Sequence, residues 1–407
     1  MLKMMAVAAA LLSALPTMAD TIKIAYIDPL TGPFANVGDQ GVKHFQGVID
    51  RINASGGVLG GQKLELVAID NKGTPQDSLL ALNAAISQGI RIVTQGNGSG
   101  SANALIDGVA KHNARNPDQA VLFLNYAAVD PDLTNSKCNF WHFRFDANTH
   151  QKMEAMTNYL ARQKEIKKVY LIGQDYQHGH QVAKYAIEML AKKRPDIQIV
   201  GNDLHPIGKV KDFSPYVAKI KQSGADAVIT GNWGADLALL VKAAKDADLK
   251  VKFYTYYGGG LGTPTAVGAA GADRLIQVTE YHMNMTPNRA LQYALDFKKK
   301  YSIDYYYERI STEMMMLAKA IDQAKSVDPK QIALALEGMK YAAEAGEVWM
   351  RKQDHQLVMP LYISVFEKAG GQNVKYDVEN TGYGFRTVAE TPASETDVPT
   401  TCKMERP

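Results

Sequence analysis

An α/β protein of two doubly wound lobes is the fold this sequence predicts, and three observations predict it. Short apolar runs of β type alternate with segments of helical periodicity. The alternation begins afresh near residue 168. The chain has 407 residues, too many for one ordinary core and comfortable for two.

The elements follow in order. Residues 21–27, rich in Ile and alternating, read as a strand. Val42, Phe45, Val48, Ile49 and Ile52 then recur at helical spacing until Ser55-Gly56-Gly57 ends the helix. A strand over 63–69 and a helix over 76–86 come next, then strands at 91–94 and 120–125 with a helix over 102–111 between them. Such a βαβα run gives a parallel sheet covered by helices on both faces. The second series has strands at 168–173, 197–200, 226–231 and 252–257, separated by helices over 179–192, 213–223 and 235–247. From about Met283 the chain offers two helical patterns, 289–301 and 311–326, and two late strands. That is too little for a third domain, so it is expected to complete the first two. No linker rich in Pro, Gly or Ser separates the units, which implies that several strands cross between them. The stretch after about Thr387 is polar and Pro-containing and reads as an irregular surface wrap.

Composition sets few limits. Hydrophobic residues are 46% and charged residues 21%, ordinary for a folded soluble chain. A formal charge of +3 with interleaved signs gives no basis for nucleic-acid binding. The N-terminus says more: Lys3 precedes an apolar run through Leu12, and Thr17-Met18-Ala19 supplies small residues at the −3 and −1 positions. This pattern predicts a secretory signal over 1–19, cut after Ala19. No cysteine lies near that cut, so a lipid anchor there is not expected. An exported chain meets oxidising conditions, and its two cysteines, Cys138 and Cys402, are therefore read as a disulfide rather than a metal site. No further Cys or His accompanies either one at zinc-ligand spacing.

Ligands of open α/β sheets sit beyond the carboxyl ends of the strands, where helix N-termini present free N–H groups. That rule selects four segments. Gln95-Gly96-Asn97-Gly98-Ser99-Gly100-Ser101 could cradle a small anion, with Gly98 giving close backbone approach and Ser99 or Ser101 a hydroxyl; a plain tight turn is the alternative. A dinucleotide fingerprint would follow the first strand with a different spacing, so nucleotide binding is not expected. Tyr126-Ala127-Ala128-Val129 has small side chains that leave backbone accessible. Gln174-Asp175-Tyr176-Gln177-His178-Gly179 offers an aromatic at Tyr176 and a polar tip at His178. Gly231-Asn232-Trp233-Gly234 is joined one strand later by Tyr256-Tyr257-Gly258. Any one of these aromatics alone is more often core than contact; several at strand ends are harder to assign to a core. Enzymatic readings fare poorly, since HExxH and GxSxG motifs are missing and no cofactor or metal is expected.

Three segments carry a family resemblance. They are Asp28-Pro29-Leu30-Thr31-Gly32-Pro33-Phe34-Ala35-Asn36-Val37-Gly38, the run Ile52-Asn53-Ala54-Ser55-Gly56-Gly57-Val58-Leu59-Gly60-Gly61-Gln62, and Gly346-Glu347-Val348-Trp349-Met350-Arg351-Lys352-Gln353-Asp354-His355-Gln356. Together they resemble the periplasmic branched-chain amino-acid-binding proteins, leucine-binding-protein-like type I solute-binding proteins of ABC importers. The resemblance implies two lobes joined by three crossovers, near 143–146, 278–282 and 348–356, that close on a ligand like a hinge. It divides the chain into a first lobe of 20–144 plus 282–350, a second of 145–281 plus 351–386, and a tail of 387–407.

The resemblance also implies that Gly98, Ser99 and Ser101 take a carboxylate, and that Tyr126, Ala127, Ala128, Tyr176, His178, Trp233 and Tyr257 surround the ligand. Family members commonly hold an α-ammonium with a Thr hydroxyl and an acidic residue. Here Ala127-Ala128-Val129 and about Tyr257 stand at those positions, which favours an acid or amide over an α-amino acid. The resulting expectation is a monomeric, non-enzymatic periplasmic protein that delivers a small organic ligand to the membrane permease of an ABC importer. A sensor of the same fold serving a signalling receptor, or an exported hydrolase, are the alternatives.

Overall fold

The structure is a computed structural model describing residues 21–407. The first series of elements is β1 (Ile22–Asp28), α1 (Ala35–Ala54), β2 (Leu64–Asp70), α2 (Pro75–Ser87), β3 (Ile92–Gln95), α3 (Ser99–Arg115), β4 (Leu122–Asn125) and β5 (His142–Arg144). Its five strands are parallel, in the order β2-β1-β3-β4-β5. All residues of β3 and β4 are buried, because helices cover both faces of the sheet centre. Caps set the helix starts: Pro75 occupies the first turn of α2, and the Thr74 hydroxyl accepts from the Asp77 N–H at 3.0 Å.

The second series is α4 (Thr149–Leu160), β6 (Lys168–Gln174), α5 (Gln177–Lys193), β7 (Gln198–His205), α6 (Ser214–Ser223), β8 (Ala227–Thr230), α7 (Gly234–Asp246), β9 (Lys252–Thr255), α8 (Thr263–Val267) and β10 (Leu275–Thr279). The chain continues through α9 (Leu291–Tyr301), α10 (Glu308–Ala324), which packs on α1, and α11 (Pro329–Leu336). Then β11 (Lys340–Ala343), β12 (Gly346–Met350) and β13 (Leu357–Val358) form a small antiparallel sheet. Finally β14 (Leu361–Lys368), β15 (Tyr383–Thr391) and the short α12 (Ala393–Thr396) complete the chain. The second main sheet runs β15-β14-β10-β9-β8-β6-β7, with β14 antiparallel to both of its neighbours, β10 and β15. Its parallel part repeats the strand order of the first sheet, so each has one point where the order reverses: between β1 and β3, and between β6 and β8.

Several boundaries move from their sequence positions. Helix α3 starts at Ser99 rather than 102, which puts Ser99 and Ser101 in its first turn. Strand β9 ends at Thr255, leaving Tyr256 and Tyr257 in the loop beyond it. Helices α4 and α11 have no counterpart among the sequence readings, and five strands, not two, follow α11. The tail boundary at 387 is corrected: β15 pairs with β14 through Thr391, so that segment is sheet and not irregular wrap. The signal over 1–19 lies outside the described residues.

Beyond α12 the tail runs back toward the first sheet. The Thr396 hydroxyl donates to the Met359 carbonyl, and Arg351 binds Asp397 at 2.9 Å. Thr401 N–H donates to Asn135 at 2.9 Å, and Cys402 is joined to Cys138 by the expected disulfide, with Cα atoms 5.7 Å apart.

Candidate functional site

The first reversal point is organised by Asp28, the last residue of β1. Its buried carboxylate accepts from the Gly96 and Asn97 N–H groups (3.2 and 2.9 Å) and from the Tyr126 hydroxyl (2.7 Å). Asn97 in turn donates to the Tyr126 oxygen at 2.6 Å. Burial, with no cation paired to it, raises the Asp28 carboxyl to about 7 although these donors pull the other way. The loop is thereby pinned to the sheet, and the chain turns into α3 at Gly98, whose φ of +100° favours glycine. Gly96 is needed for a different reason: a Cβ there would lie 2.7 Å from the Tyr126 ring. The N-terminus of α3 has no side-chain cap, so its first-turn N–H groups have no partner from a capping side chain. The Ser99 hydroxyl oxygen accepts from the Asp130 N–H at 3.3 Å.

The second reversal point supplies aromatics. Tyr176 and Trp233 are the N-cap residues of α5 and α7, neither of which has a side-chain cap. The Trp233 indole N–H donates to the Tyr176 hydroxyl at 2.8 Å. From the other lobe Phe34 stacks on Trp233 with ring centroids 4.2 Å apart, so the lobes touch beside the cleft between them.

The empty space in that cleft, open solvent at its edge included, is about 340 Å³. Gly98, Ser99, Ala127 and Ala128 line it from the first lobe, and Tyr176, Trp233 and Tyr257 from the second. Three sequence-selected residues lie behind this lining. Tyr126 is spent on Asp28 and Asn97, and Ser101 is buried in the α3 turn. His178 bonds Thr149 at 2.7 Å and the Gly231 carbonyl at 3.2 Å, and burial pushes its imidazole down to about 3, so it is a neutral structural group.

Sequence reasoning missed Phe34, Tyr307 and Arg309. The last two line the cleft from the start of α10, and their only signal was a run of three tyrosines before a helix. Arg309 is buried and donates to Glu280 at 2.5 Å, with Asp146 3.4 Å from its Nε. Asp146 also pairs with the buried Lys152 at 2.8 Å, and the Lys152 ammonium lies 5.0 Å from the Tyr257 ring. Burial alone would raise the Glu280 carboxyl; Arg309 and Lys152 outweigh it and hold it below its ordinary value. No carboxylate is among the residues lining the cleft. Among the described residues no His, Cys, Asp and Glu group is suited to a metal.

A family model described as periplasmic binding protein matches residues 21–372. Leu/Ile/Val-binding protein homolog 4 of Brucella abortus (strain 2308) is 32% identical over 406 residues, covering 96% of this chain and 94% of the relative. The crystal structure of a leucine-, isoleucine-, valine-, threonine-, and alanine-binding protein from Brucella ovis, in a closed conformation, superposes with a TM-score of 0.84 at 31% identity; it covers 96% of this chain and all of that one. A solute-binding protein of an ABC transporter from Rhodopseudomonas palustris BisB5, in complex with 3,4-dihydroxy benzoic acid, gives 0.78 at 18% identity over 92% and 98% of the two chains, a likeness of fold alone.

Proposed function

This chain belongs to the periplasmic binding protein family, and on that footing we propose that it captures a small organic acid in the periplasm for an ABC importer. The observation that carries the reading is the cleft itself. Three helices without side-chain caps, α3, α5 and α7, begin at its lining residues, and four of its thirteen lining residues are aromatic. Free N–H groups and positive helix ends favour a carboxylate, while Trp233, Tyr176, Tyr257 and Tyr307 suit an apolar or aromatic body. In this reading the carboxylate sits against Gly98 and Ser99, the body lies over Ala127 and Ala128, and Phe34 meets Trp233 beside the cleft. The importer's membrane permease then receives the closed form.

The relatives' names point to a second ligand class, the branched-chain amino acids. An α-ammonium in this cleft would meet a guanidinium and no carboxylate, and a buried cation without acceptors is costly. The Rhodopseudomonas palustris protein in complex with 3,4-dihydroxy benzoic acid is an instance of this fold holding an acid that has no amino group. The test is calorimetry with leucine and with 4-methylpentanoate, which has the same shape without the amino group. Tighter binding of 4-methylpentanoate is expected. Submicromolar leucine binding with no preference for the acid would overturn the ligand assignment while leaving the binding role intact.

A further inference from the structure

We propose that Tyr307 and Arg309 form a second oxygen-binding subsite of this cleft, so that the ligand has two acceptor ends: a carboxylate held at the start of α3 and a further carboxylate or carbonyl oxygen held at the start of α10. The inference rests on the carboxylate reading of the cleft and deepens it.

Both residues line the cleft, and both are buried with unused hydrogen-bonding capacity. Among the described residues the Tyr307 hydroxyl has no partner, and neither do Nε and Nη2 of Arg309. A guanidinium carries five N–H donors, and a buried one ordinarily spends them. Arg309 commits a single hydrogen bond, through Nη1, to Glu280. Its Nε approaches Asp146 at 3.4 Å without forming one. Both unpartnered groups belong to the start of α10, whose N-cap is Tyr307 and which has no side-chain cap. The Arg309 Cζ lies 4.8 Å from the Tyr307 ring centroid, so the two present one donor face.

This face belongs to a different helix start from the α3 end of the cleft and adjoins it. Tyr307 packs edge-on against Tyr126 at 5.9 Å between centroids, and Tyr126 is the residue that receives Asn97 from the loop before α3. The Tyr307 ring therefore has the guanidinium at one contact and the Tyr126–Asn97 pair at another. Charge also bears on the ligand. Lys152 and Arg309 are matched by Asp146 and Glu280 within one cluster, so the guanidinium is already neutralised. What it lacks is an acceptor. An anionic or a neutral oxygen can fill that position, whereas a methyl or ammonium end cannot.

The experiment compares acids of one skeleton with and without a second oxygen, by calorimetry on the mature protein. The probes are benzoate, 4-acetylbenzoate and terephthalate, with pentanoate and glutarate as an aliphatic pair. Two-ended acids of at least one skeleton should bind about tenfold or more tightly than their one-ended counterpart, as expected for a hydrogen bond to a charged group. The acetyl and carboxylate arms tell a carbonyl from an anion. Tyr307→Phe removes only a hydroxyl that has no partner among the described residues, and it should reduce the ratio of two-ended to one-ended affinity. The double variant Arg309→Gln/Glu280→Gln keeps the buried charges balanced and should bring that ratio close to one. Wild-type protein that binds benzoate or pentanoate without preferring any two-ended acid would overturn the subsite and leave the carboxylate reading standing. So would variants that weaken both kinds of acid equally. Failure of every acid to bind the wild type would overturn the carboxylate reading and the subsite together.

Discussion

Asp28 gives a prediction whose size follows from the geometry. The carboxyl is fully buried, is bonded only to neutral donors, and titrates at about 7 in place of 3.8. The folded chain therefore keeps this proton up to about 7, while the unfolded chain releases it near 3.8. The folded state binds the extra proton throughout that window, so stability falls as pH rises through it. A displacement of about three pKa units corresponds to about 4 kcal/mol. Glu308 and Glu313, both raised by burial to about 8, add losses of the same sign, so the wild-type curve alone cannot isolate the contribution. Asp28→Asn removes the titration and keeps one acceptor for the Gly96–Asn97 loop. Urea unfolding of both proteins, without ligand, should be followed from about pH 4 to about pH 8. The stability difference should move by about 4 kcal/mol in favour of the variant across that range. Two curves that stay parallel would refute the argument that Asp28 is buried without compensation.

Other tests are simpler. The Cys138–Cys402 bridge spans 264 residues of sequence, for which the chain-entropy relation gives at most about 5.5 kcal/mol of stabilisation; thiol titration of the unfolded, unreduced protein should find no reactive thiol, and two per chain would exclude the bridge. Ser99→Ala should weaken binding of a carboxylate ligand about tenfold, whereas Ser101→Ala, behind the cleft lining, should change it by less than about twofold. Equal losses in the two variants would mean that the α3 end is not read correctly. Gly98→Ala places a side chain at a φ of +100° and should cost about 1–3 kcal/mol of stability, read by urea unfolding.

Both lobes were legible because their central strands are continuous apolar runs punctuated by glycine-containing loops, and among the residues that the strand-end rule selected, Gly98, Ser99, Tyr176 and Trp233 line the cleft. Helix α4 escaped for a physical reason. Thr149, Gln151, Lys152, Met153, Ala155, Met156 and Thr157 are all buried, so it shows no polar face opposite an apolar one. A buried lysine that is matched by a carboxylate six residues earlier in a turn looks, in sequence, like surface. Arg309 is hidden in the same way: its partner Glu280 is 29 residues away, and nothing local announces that pairing. His178 erred in the opposite direction. It sits at a strand end as the rule requires, but its ring points to Thr149 and Gly231, a choice made by tertiary packing. Strand β15 reads as tail because half of its residues are polar and only pairing with β14 orders them.

The course of the C-terminal tail sets a limit on how far the molecule can gape. Thr396, in α12 beside α4 of the second lobe, is hydrogen-bonded to Met359 and to the Gln151 side chain, while Cys402 is welded to Cys138 of the first. Five residues lie between these two anchors, and the six extended steps that join them reach about 21 Å. However the lobes move, these two anchoring points cannot part beyond that reach while both hold. The tail thus ties α12 to the loop that holds Cys138 through a fixed length of chain.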